Sequence, residues 1–397
     1  MNLISEIKSI ARKNHKDIVN LRRHLHKNPE LSFAEKKTGK FIKDFLKRNN
    51  ISHTGGWCEN GIVAIIKGEK KSSRAIALRA DIDALPILEK NKVSYKSSNP
   101  GVMHACGHDV HTASLLGSIL ILDQCKKHYG GTIKCIFQPG EEKLPGGASI
   151  MIKEGVLKNP RPKTILGQHV HPPLEVGKVG VRAGQYMASA DEIYISVNGK
   201  GGHAALPHEC IDTVHMASKI ICGLQEIISR RKNPLTPAVL SFGKINSIGG
   251  ATNVIPDQVK IEGTFRTMDE KWRKKAHKMI ITNAQKTAQA LGGSCEVDIK
   301  LGYPSLFNNE KYTSAINQSM IDYMGISNVV PLPMRMTAED FAWYSQEIPA
   351  CFYRLGTGNS KKGITSPVHT PTFNVDEQSL RVGAGLMAYL AIESLSY

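Results

Sequence analysis

Strand-like apolar runs alternate with helical segments up to Gly167, and this alternation limits the possible folds more than any other feature of the chain. The runs are GIVAII at 61–66, AIALRA at 75–80, GTIKCIF at 131–137 and TILG at 164–167. A helix predicted from Asp109 keeps Leu115 and Ile119 on one face, and two more helices are predicted over 3–27 and 36–49. Continuously apolar strands are typical of a largely parallel sheet that helices cover on both faces. The sequence therefore predicts an α/β fold built on a mixed, mostly parallel sheet flanked by helices.

The order of elements then changes. The next segments predict strand, helix, strand, strand, helix and strand, at 190–198, 212–230, 237–246, 257–266, 270–291 and 294–300. This βαββαβ order is that of a ferredoxin-like α+β unit, which is compact enough to be an inserted domain. The α/β pattern returns with a strand at 351–356 and a closing helix over 376–396. We therefore predict a discontinuous first domain, 1–186 and 302–397, and an inserted domain at 187–301.

Length and composition agree with a two-domain globular protein. The chain has 397 residues, more than one hydrophobic core normally serves, and 41% of them are hydrophobic. It contains no run of about 18 apolar residues, so neither a membrane span nor a membrane partner is expected. Glu6 and Lys8 fall where a signal peptide needs its apolar core, which argues against export. The eight cysteines have no paired spacing, which is typical of reduced thiols and favours a cytoplasmic location.

The formal net charge of +17 has two interpretations. It marks either a partner rich in negative charge, such as nucleic acid or an acidic substrate, or a lysine-rich composition throughout. Lysines are spread along the chain, and the densest run, KWRKKAHK at 271–278, has the pattern of the polar face of a helix. No basic motif with interleaved aromatic residues accompanies it. The sequence favours the second interpretation, and no nucleic-acid partner is expected.

One short segment combines several residues that can bind metal. Between His104 and His111 the chain places three histidines, one cysteine and one aspartate. Cys106 and His108 are two residues apart, so an extended backbone turns both side chains to one side, and Gly107 leaves the approach open. Thiolate sulfur and imidazole nitrogen are donors in zinc, manganese, cobalt and nickel sites. The segment is therefore a candidate metal site.

Further candidate ligands follow predicted strands or lie in loops. They are Glu141, Glu142, His169, His171, His203 and His369. In parallel sheets the reactive groups lie beyond the carboxyl ends of the strands, so Asp81, Glu141 and His169 are expected at one edge. Adjacent carboxylates on a turn can point in different directions. Glu141 and Glu142 can therefore have different roles, so that one binds metal and the other transfers protons.

Eight long motifs, in order along nearly the whole chain, resemble peptidase family M20, the metallopeptidases that include aminoacylases and glutamate carboxypeptidases. The motifs are LRRHLHKNPELSFAE at 21–35, LRADIDALPI at 78–87, MHACGHDVHTASLLG at 103–117, QPGEEKLPGGASIMIKEG at 138–155, GKGGHAALPH at 199–208, GGATNVIPDQVKIEGTFRT at 249–267, MTAEDF at 336–341 and VHTPTFNVDE at 368–377. Within the family they are similar to the amidohydrolase subfamily of hippurate hydrolases, indole-acetyl-amino-acid hydrolases and N-acetyldiaminopimelate deacetylases. The resemblance implies a zinc-exopeptidase-like catalytic, metal-binding domain and an inserted lid and dimerisation domain.

The resemblance also implies a role for each candidate residue. The implied ligands of two divalent ions per subunit are Cys106, which bridges them, His108, Glu142, His169 and His369. Glu141 matches the general base, and His203 matches a group that polarises the scissile carbonyl. Asn253 and Arg266 match positions that hold polar groups of the substrate. The metal is left open among manganese, zinc, cobalt and nickel.

Three segments depart from patterns found in the family. Asp81 and Asp83 stand where other branches carry a metal-binding His-x-Asp, so we expect them to orient ligands or to be structural. Thr337 replaces a common glycine, and Arg354 puts a charge where the subfamily often has an apolar residue. Either of these two changes can alter the choice of substrate.

These features predict a metal-dependent amidohydrolase that cleaves the amide bond of N-acyl amino acids to a carboxylic acid and a free amino acid. A dipeptidase or carboxypeptidase would use the same groups. A non-catalytic binding protein on this scaffold would have no need of Glu141 beside two ions. The expected partners are a small-molecule N-acyl amino acid and a second copy of the chain, joined through the inserted domain. The acyl group and amino acid are left open, because residues outside the motifs form the pocket.

Overall fold

The computed structural model describes residues 2–397, which form two compact units. The first unit comprises the described residues up to Gln185 together with Phe307–Met334 and Asp340–Tyr397. The second comprises Tyr186–Leu306 and a short return of the chain, Arg335–Glu339, that the sequence pattern did not indicate. Within residues 2–397, no helix is long and apolar enough to cross a membrane.

The first unit contains most of the helices and one large sheet. Its helices are α1 Leu3–Lys13, α2 His15–Lys27, α3 Lys36–Arg48, α4 His108–Gln124, α5 Gly147–Glu154, α8 Glu310–Met324, α9 Ala342–Glu347 and α10 Gln378–Ser394. Its strands are β1 Ser52–Trp57, β2 Gly61–Lys67, β3 Lys70–Asp81, β4 Gly130–Gln138, β5 Ile165–Glu175, β6 Val179–Val181, β15 Val329–Pro331 and β16 Ala350–Gly358. Two more strands, β7 Gly184–Met187 and β14 Leu306–Asn308, lie where the chain crosses between the units.

The eight strands of the large sheet are ordered β1-β2-β4-β3-β5-β16-β6-β15. The central neighbours β4, β3, β5 and β16 run parallel, and antiparallel pairs lie towards both edges. This confirms the predicted mixed, mostly parallel sheet. Helix α4 packs between the sheet on one side and α2 and α10 on the other, and it is buried on nearly all sides. The sheet and this helix together fix the positions of the residues at the start of α4.

Two details of the first unit differ from the sequence prediction. The single helix predicted over 3–27 is two helices, because at Asn14 the backbone turns to φ −87° and ψ 0°. Asparagine competes with the helix for backbone hydrogen bonds, but the hydrophobic pattern continues across it and hides the break. The strand predicted at 164–167 extends to Glu175, so His169 and His171 lie within β5 rather than beyond its end. The predicted placement of these two histidines after the strand was therefore wrong.

The second unit has the predicted βαββαβ order. Its helices are α6 Thr213–Glu226 and α7 Glu270–Ala290, and its strands are β8 Asp191–Asn198, β9 Gly202–His203, β10 Ala238–Ile248, β11 Val254–Ile255, β12 Gln258–Thr267 and β13 Ser294–Leu301. Four of these strands form an antiparallel sheet in the order β10-β12-β8-β13. Asp212 and Asp269 accept hydrogen bonds from the first backbone N–H groups of α6 and α7 and so begin both helices. A π-helical turn at Ile227–Arg231 follows α6.

Candidate metal centre

The start of α4 and strand β5 bring three of the predicted ligands together. Cys106 Sγ lies 3.5 Å from His169 Nε2, and one donor atom from each of Cys106, His108 and His169 falls within 4.8 Å of the others. Gly107 makes this approach possible, because it has φ +84° and a Cβ there would lie 2.5 Å from a methyl group of Val170. All three ligand residues are buried.

A second group of donors shares the same sulfur. Cys106, Glu142 and His369 also place one donor atom each within 4.8 Å of one another. His369 Nε2 lies 3.3 Å from Glu142 Oε1, and the backbone N–H of His369 donates to the Ala105 carbonyl at 2.8 Å. That hydrogen bond ties the loop before α10 to the residues before α4. The structure therefore brings all five predicted ligands into one cluster, with Cys106 common to both halves.

The buried histidines are held with one ring nitrogen facing the cluster. His108 Nδ1 donates to Asp83 Oδ1 at 3.1 Å, and His169 Nδ1 donates to the Val170 carbonyl at 2.8 Å. Because both partners are acceptors, Nδ1 carries a proton in each ring, and Nε2 is the nitrogen that would bind a cation. His111 differs, since its Nδ1 contacts Asp81 at 2.6 Å and its Nε2 accepts from the Val170 N–H at 2.9 Å. His111 is therefore used structurally.

The donors of the cluster fit a divalent cation. His108 Nε2 is buried and has no hydrogen-bond partner within the described part of the chain, and the buried Glu142 Oε1 has the 3.3 Å contact with His369 Nε2 but no hydrogen bond of good geometry. Burial, and then the charge of Glu142, raises the pKa of the Cys106 thiol. Contacts with Cys106 and then Glu142 raise the pKa of His369 to about 10. Protons thus balance the charges of the cluster, and a divalent ion would take their place on the sulfur and imidazole ligands.

Glu141 is oriented towards the same cluster by a rigid support. Its Oε2 lies 4.0 Å from His108 Nε2, and its Oε1 accepts from the backbone N–H of Asp340 at 3.4 Å. The Asp340 carboxylate is itself fixed by Arg79 Nη2 at 2.5 Å and by Gln138 Nε2 at 2.6 Å. Arg79 also binds Asp81 at 2.6 Å. Glu141 therefore has a different support from Glu142, whose backbone N–H donates to Asp83 at 2.9 Å.

Sequence reasoning missed a buried carboxylate beneath this turn. Glu35 Oε1 accepts from the Gly140 N–H at 2.8 Å, and Gly140 has φ +63° with no room for a Cβ beside the Phe33 ring. Burial, and then the charge of Asp83, raises the pKa of Glu35 to about 7. The motif at 21–35 was recognised but gave no role for this residue. The contact shows that the N-terminal segment supports the turn that carries Glu141.

A buried charge network also anchors the start of α4. Asp109 Oδ2 accepts from Arg22 Nε at 2.7 Å and contacts His26 Nδ1 at 2.8 Å, and His26 Nε2 contacts Glu89 at 3.1 Å. Burial opposes the charge on Asp109, but Arg22 and His26 outweigh it and hold the pKa of this carboxyl well below its usual range. Asp109 follows His108 directly, so the network fixes the backbone that presents this ligand.

The three residues predicted to bind substrate lie in the second unit. His203, on β9, pairs with Val254 on β11, and Asn253 O accepts from the Ala204 N–H at 3.0 Å. His203 and Asn253 therefore lie side by side. Arg266 lies elsewhere, on β12 opposite Val239. Their roles in binding or catalysis stay predictions.

Comparisons with known proteins agree with this arrangement. The family model described as peptidase family M20/M25/M40 matches residues 77–393. An N-acetyl-L-cysteine deacetylase of Bacillus subtilis is 40% identical over 92% of this chain and 85% of its own length. Thermostable carboxypeptidase 2 of Saccharolobus solfataricus is 37% identical over 99% of each chain. The solved structure of the Bacillus subtilis YxeP protein, described as a dinuclear metal-binding peptidase from the M20 family, has a TM-score of 0.83 and 34% identity over 97% of this chain and 99% of that one.

The fold, the donor cluster and these relatives define a metal-dependent hydrolase that acts on amide bonds. The chain belongs to peptidase family M20/M25/M40, as the match over residues 77–393 shows. The resemblance recognised from the motifs is confirmed.

Proposed function

We propose that this protein hydrolyses N-acyl amino acids to a carboxylic acid and a free amino acid, with Glu141 as the proton-transferring group. The observation that carries the proposal is the shared cluster, in which Cys106 belongs to two groups of three donors and Glu141 lies beside them. The substrate class is supported by the relative that is named for deacetylating N-acetyl-L-cysteine.

The five clustered residues would hold two divalent ions. His108 and His169 would bind through Nε2, Glu142 through its carboxylate and His369 through Nε2, with Cys106 as the sulfur common to both. Bound ions of this kind supply Lewis acidity, which lowers the pKa of an attacking water and polarises the scissile carbonyl. Their identity is open among manganese, zinc, cobalt and nickel, because thiolate, imidazole and carboxylate ligands suit all four. Keeping the Cys106 thiol reduced supports a cytoplasmic location.

Glu141 would perform both proton transfers of the reaction. Its carboxylate is buried but reaches the cluster, so it can take a proton from the attacking water and return it to the departing amine. The Asp340 N–H and the Arg79–Asp340 pair hold that carboxylate in one orientation. His203 would polarise the carbonyl, and Asn253 and Arg266 would hold polar groups of the substrate. A guanidinium suits the free carboxylate of an amino acid, because it can donate two parallel hydrogen bonds.

A peptidase that removes a C-terminal residue is the second candidate function. One relative at 37% identity is named a carboxypeptidase, and a peptide bond presents the same amide and carboxylate to the site. Turnover of matched compounds separates the two functions. N-acetyl and N-benzoyl derivatives of one amino acid should be hydrolysed faster than dipeptides that end in the same amino acid.

The experiment that tests the proposal is a substrate screen with protein reconstituted separately with each of the four metals. N-acyl amino acids, including N-acetyldiaminopimelate, are incubated with wild-type protein and with Glu141→Gln protein, and the released amine is quantified. We expect release by the wild type alone. Absence of release with every metal and substrate, in a folded and metal-loaded protein, would rule out the proposed function.

We also propose that two chains associate through the second unit. Strand β10 is an edge strand of the four-stranded sheet, and its exposed residues include Ile245 and Ile248, each about half accessible. An exposed apolar edge of this kind can pair with its counterpart on a second copy. Ile245→Lys should convert the dimer to a monomer in sedimentation-velocity experiments, and an unchanged mass would exclude this edge.

A further inference from the structure

Helices α6 and α7 of the second unit border a groove of about 800 Å³ that no part of the reaction uses. Its lining contains six cationic side chains, Lys219, Arg230, Arg231, Lys275, Lys278 and Lys286, and one acidic side chain, Glu226. Across the whole chain the ratio of basic to acidic residues is 52 to 35, so a lysine-rich composition alone does not explain a ratio of six to one. None of the six forms an ion pair with any of residues 2–397.

The cations form two stripes that follow helical spacing. Lys275, Lys278 and Lys286 lie on one face of α7, at intervals of three and eight residues. On the other side of the groove, Lys219, Glu226 and Arg230 lie on α6 and the π-helical turn that follows it, at intervals of seven and four residues. Residues separated by three, four, seven, eight or eleven positions share a helix face. Each side of the groove is therefore a rim of net positive charge, with three lysines on α7 and with Lys219, Arg230 and Arg231 against Glu226 on the other side.

The lining between the cations is partly apolar and contains one polar atom without a partner among the described residues. Ile227, Met279, Ala290 and Leu291 line it; Ile227 is almost fully buried, whereas Leu291 is 40% exposed. Asn283 Oδ1 has no hydrogen-bond partner among the described residues, and a Cβ on Gly223 would lie only 3.2 Å from it. The absence of a side chain at Gly223 leaves room for the Asn283 amide between the two helices. A ligand that fits must carry both negative charge and an apolar face.

Two other occupants fit less well. A second copy of this chain, placed on the groove by twofold symmetry, would set the six cations of one copy against the six of the other. A nucleic acid would find no aromatic side chain in the lining on which its bases could stack, and a duplex is too wide for a channel between adjacent helices. An α-helix lies naturally in the groove between two others, and acidic residues on its flanks would meet both rims.

We propose that the α6–α7 groove is a docking site for an acidic, amphipathic helix of another protein. The apolar face of that helix packs on Met279, Ala290 and Leu291, and its carboxylates pair with the two rims. The docking site contains none of the metal-centre residues, so the docking proposal can be tested independently of the hydrolase activity.

Binding of a designed peptide tests the proposal directly. The probe is a fluorescent 20-residue helix with leucines on one face and glutamates on its flanks, titrated with the full-length protein at about 50 mM salt. Two double variants of the second unit form a matched pair. Lys275→Glu with Lys278→Glu reverses the rim on α7, whereas Lys200→Glu with Lys260→Glu changes the unit by the same charge at exposed positions outside the lining.

We expect the rim variant to weaken peptide binding about tenfold and the control variant to weaken it less than about threefold. Melting curves of both variants confirm folding, and the corresponding Lys→Gln pair is used if the rim variant unfolds. A scrambled peptide of the same composition, with no apolar face, should bind more weakly than the helix. Equal effects of the two variants, or equal binding of the scrambled peptide, would reduce the groove to nonspecific charge. Tighter binding of a 20-nucleotide single-stranded DNA, lost in the rim variant, would make the occupant a nucleic acid and overturn the proposal.

Discussion

Glu141 and Glu142 are adjacent in the sequence, yet their surroundings give them different chemistry. Glu142 Oε1 lies 3.3 Å from His369 Nε2 and belongs to a group of donors that includes Cys106. Glu141 forms a donor group with His108 and Glu142 but is also held by the Asp340 N–H, which supports the proposal that it transfers protons instead of binding metal. A sequence can show that two carboxylates follow a strand. Which of them contacts the other donors depends on the fold of the turn.

Replacing Glu141 by glutamine tests this division of roles. The glutamine keeps the shape and the acceptor for the Asp340 N–H but cannot accept a proton, so turnover should fall by about 10²–10⁴-fold. Metal content, measured by plasma mass spectrometry, should stay near that of the wild type. Parallel loss of metal and activity would instead make Glu141 a ligand.

Cys106 is the residue on which both halves of the cluster depend. Cys106→Ala should lower bound metal at both positions, because its sulfur belongs to each group of donors. His169→Ala, which touches only one group, should cost less metal. Cys125→Ala is the control, since Cys125 is a buried core residue outside the cluster. Wild-type metal content in Cys106→Ala would refute the shared-ligand role.

At the scale of elements, the N-terminal segment supports the turn after β4, which carries the carboxylates of Glu141 and Glu142. Glu35 is buried beneath the turn, and its pKa is raised from 4.5 to about 7, first by burial and then by Asp83. A carboxyl with a raised pKa stabilises the fold fully below pH 4.5, and this contribution is lost as the pH rises through 7. Ionisation of Glu35 therefore lowers the free energy of unfolding at neutral pH. The hydrogen bond from the Gly140 N–H is present despite this loss of stability.

Glu35→Gln removes this cost while keeping an acceptor for the Gly140 N–H. In metal-free protein the free energy of unfolding of the variant, relative to wild type, should rise between pH 5 and pH 7 by about 2 kcal/mol and level off above pH 8. Chemical denaturation followed by circular dichroism measures it. The exposed control Glu59→Gln should show no such rise. A difference that does not vary with pH would mean that Glu35 does not titrate in this range.

The elements themselves were largely predictable, and the exceptions have physical causes. Apolar runs predicted the strands β2, β3 and β4, and helical periodicity predicted the start of α4 to within one residue. The break at Asn14 was not predicted because the apolar pattern is continuous across it. The predicted end of β5 was too early because its last residues, HVHPPLE, include polar residues and two prolines, which are not typical of a strand. These residues nevertheless pair with β16. Their strand state depends on a neighbour that lies almost two hundred residues further along the chain.

At the scale of the molecule, the sequence predicted the five donors of the cluster. It did not predict the polar contacts that hold those donors in place. The five donors come from three regions of the chain, around 106, 142–169 and 369, and the motif resemblance identified all of them. The supports were missed, because the Glu35–Gly140 contact joins residues 105 positions apart and the Arg22–Asp109 contact joins residues 87 positions apart. Hydrophobic periodicity carries no information about such polar contacts. It specifies faces of elements, whereas these supports depend on how the loops pack.

The second unit provides the last test, because His203 is the residue of this unit that is predicted to act on the scissile carbonyl. This exposed histidine lies on β9, where its Nδ1 accepts from the Ala205 N–H at 3.1 Å, so its proton and donor capacity lie on Nε2. If Nε2 polarises the substrate carbonyl, His203→Ala should lower kcat by about 10²–10³-fold while the melting temperature and metal content stay near wild type. His215→Ala removes another exposed histidine of the same unit and should keep full activity. Full activity in His203→Ala would remove this residue from the mechanism and confine the chemistry to the cluster of the first unit.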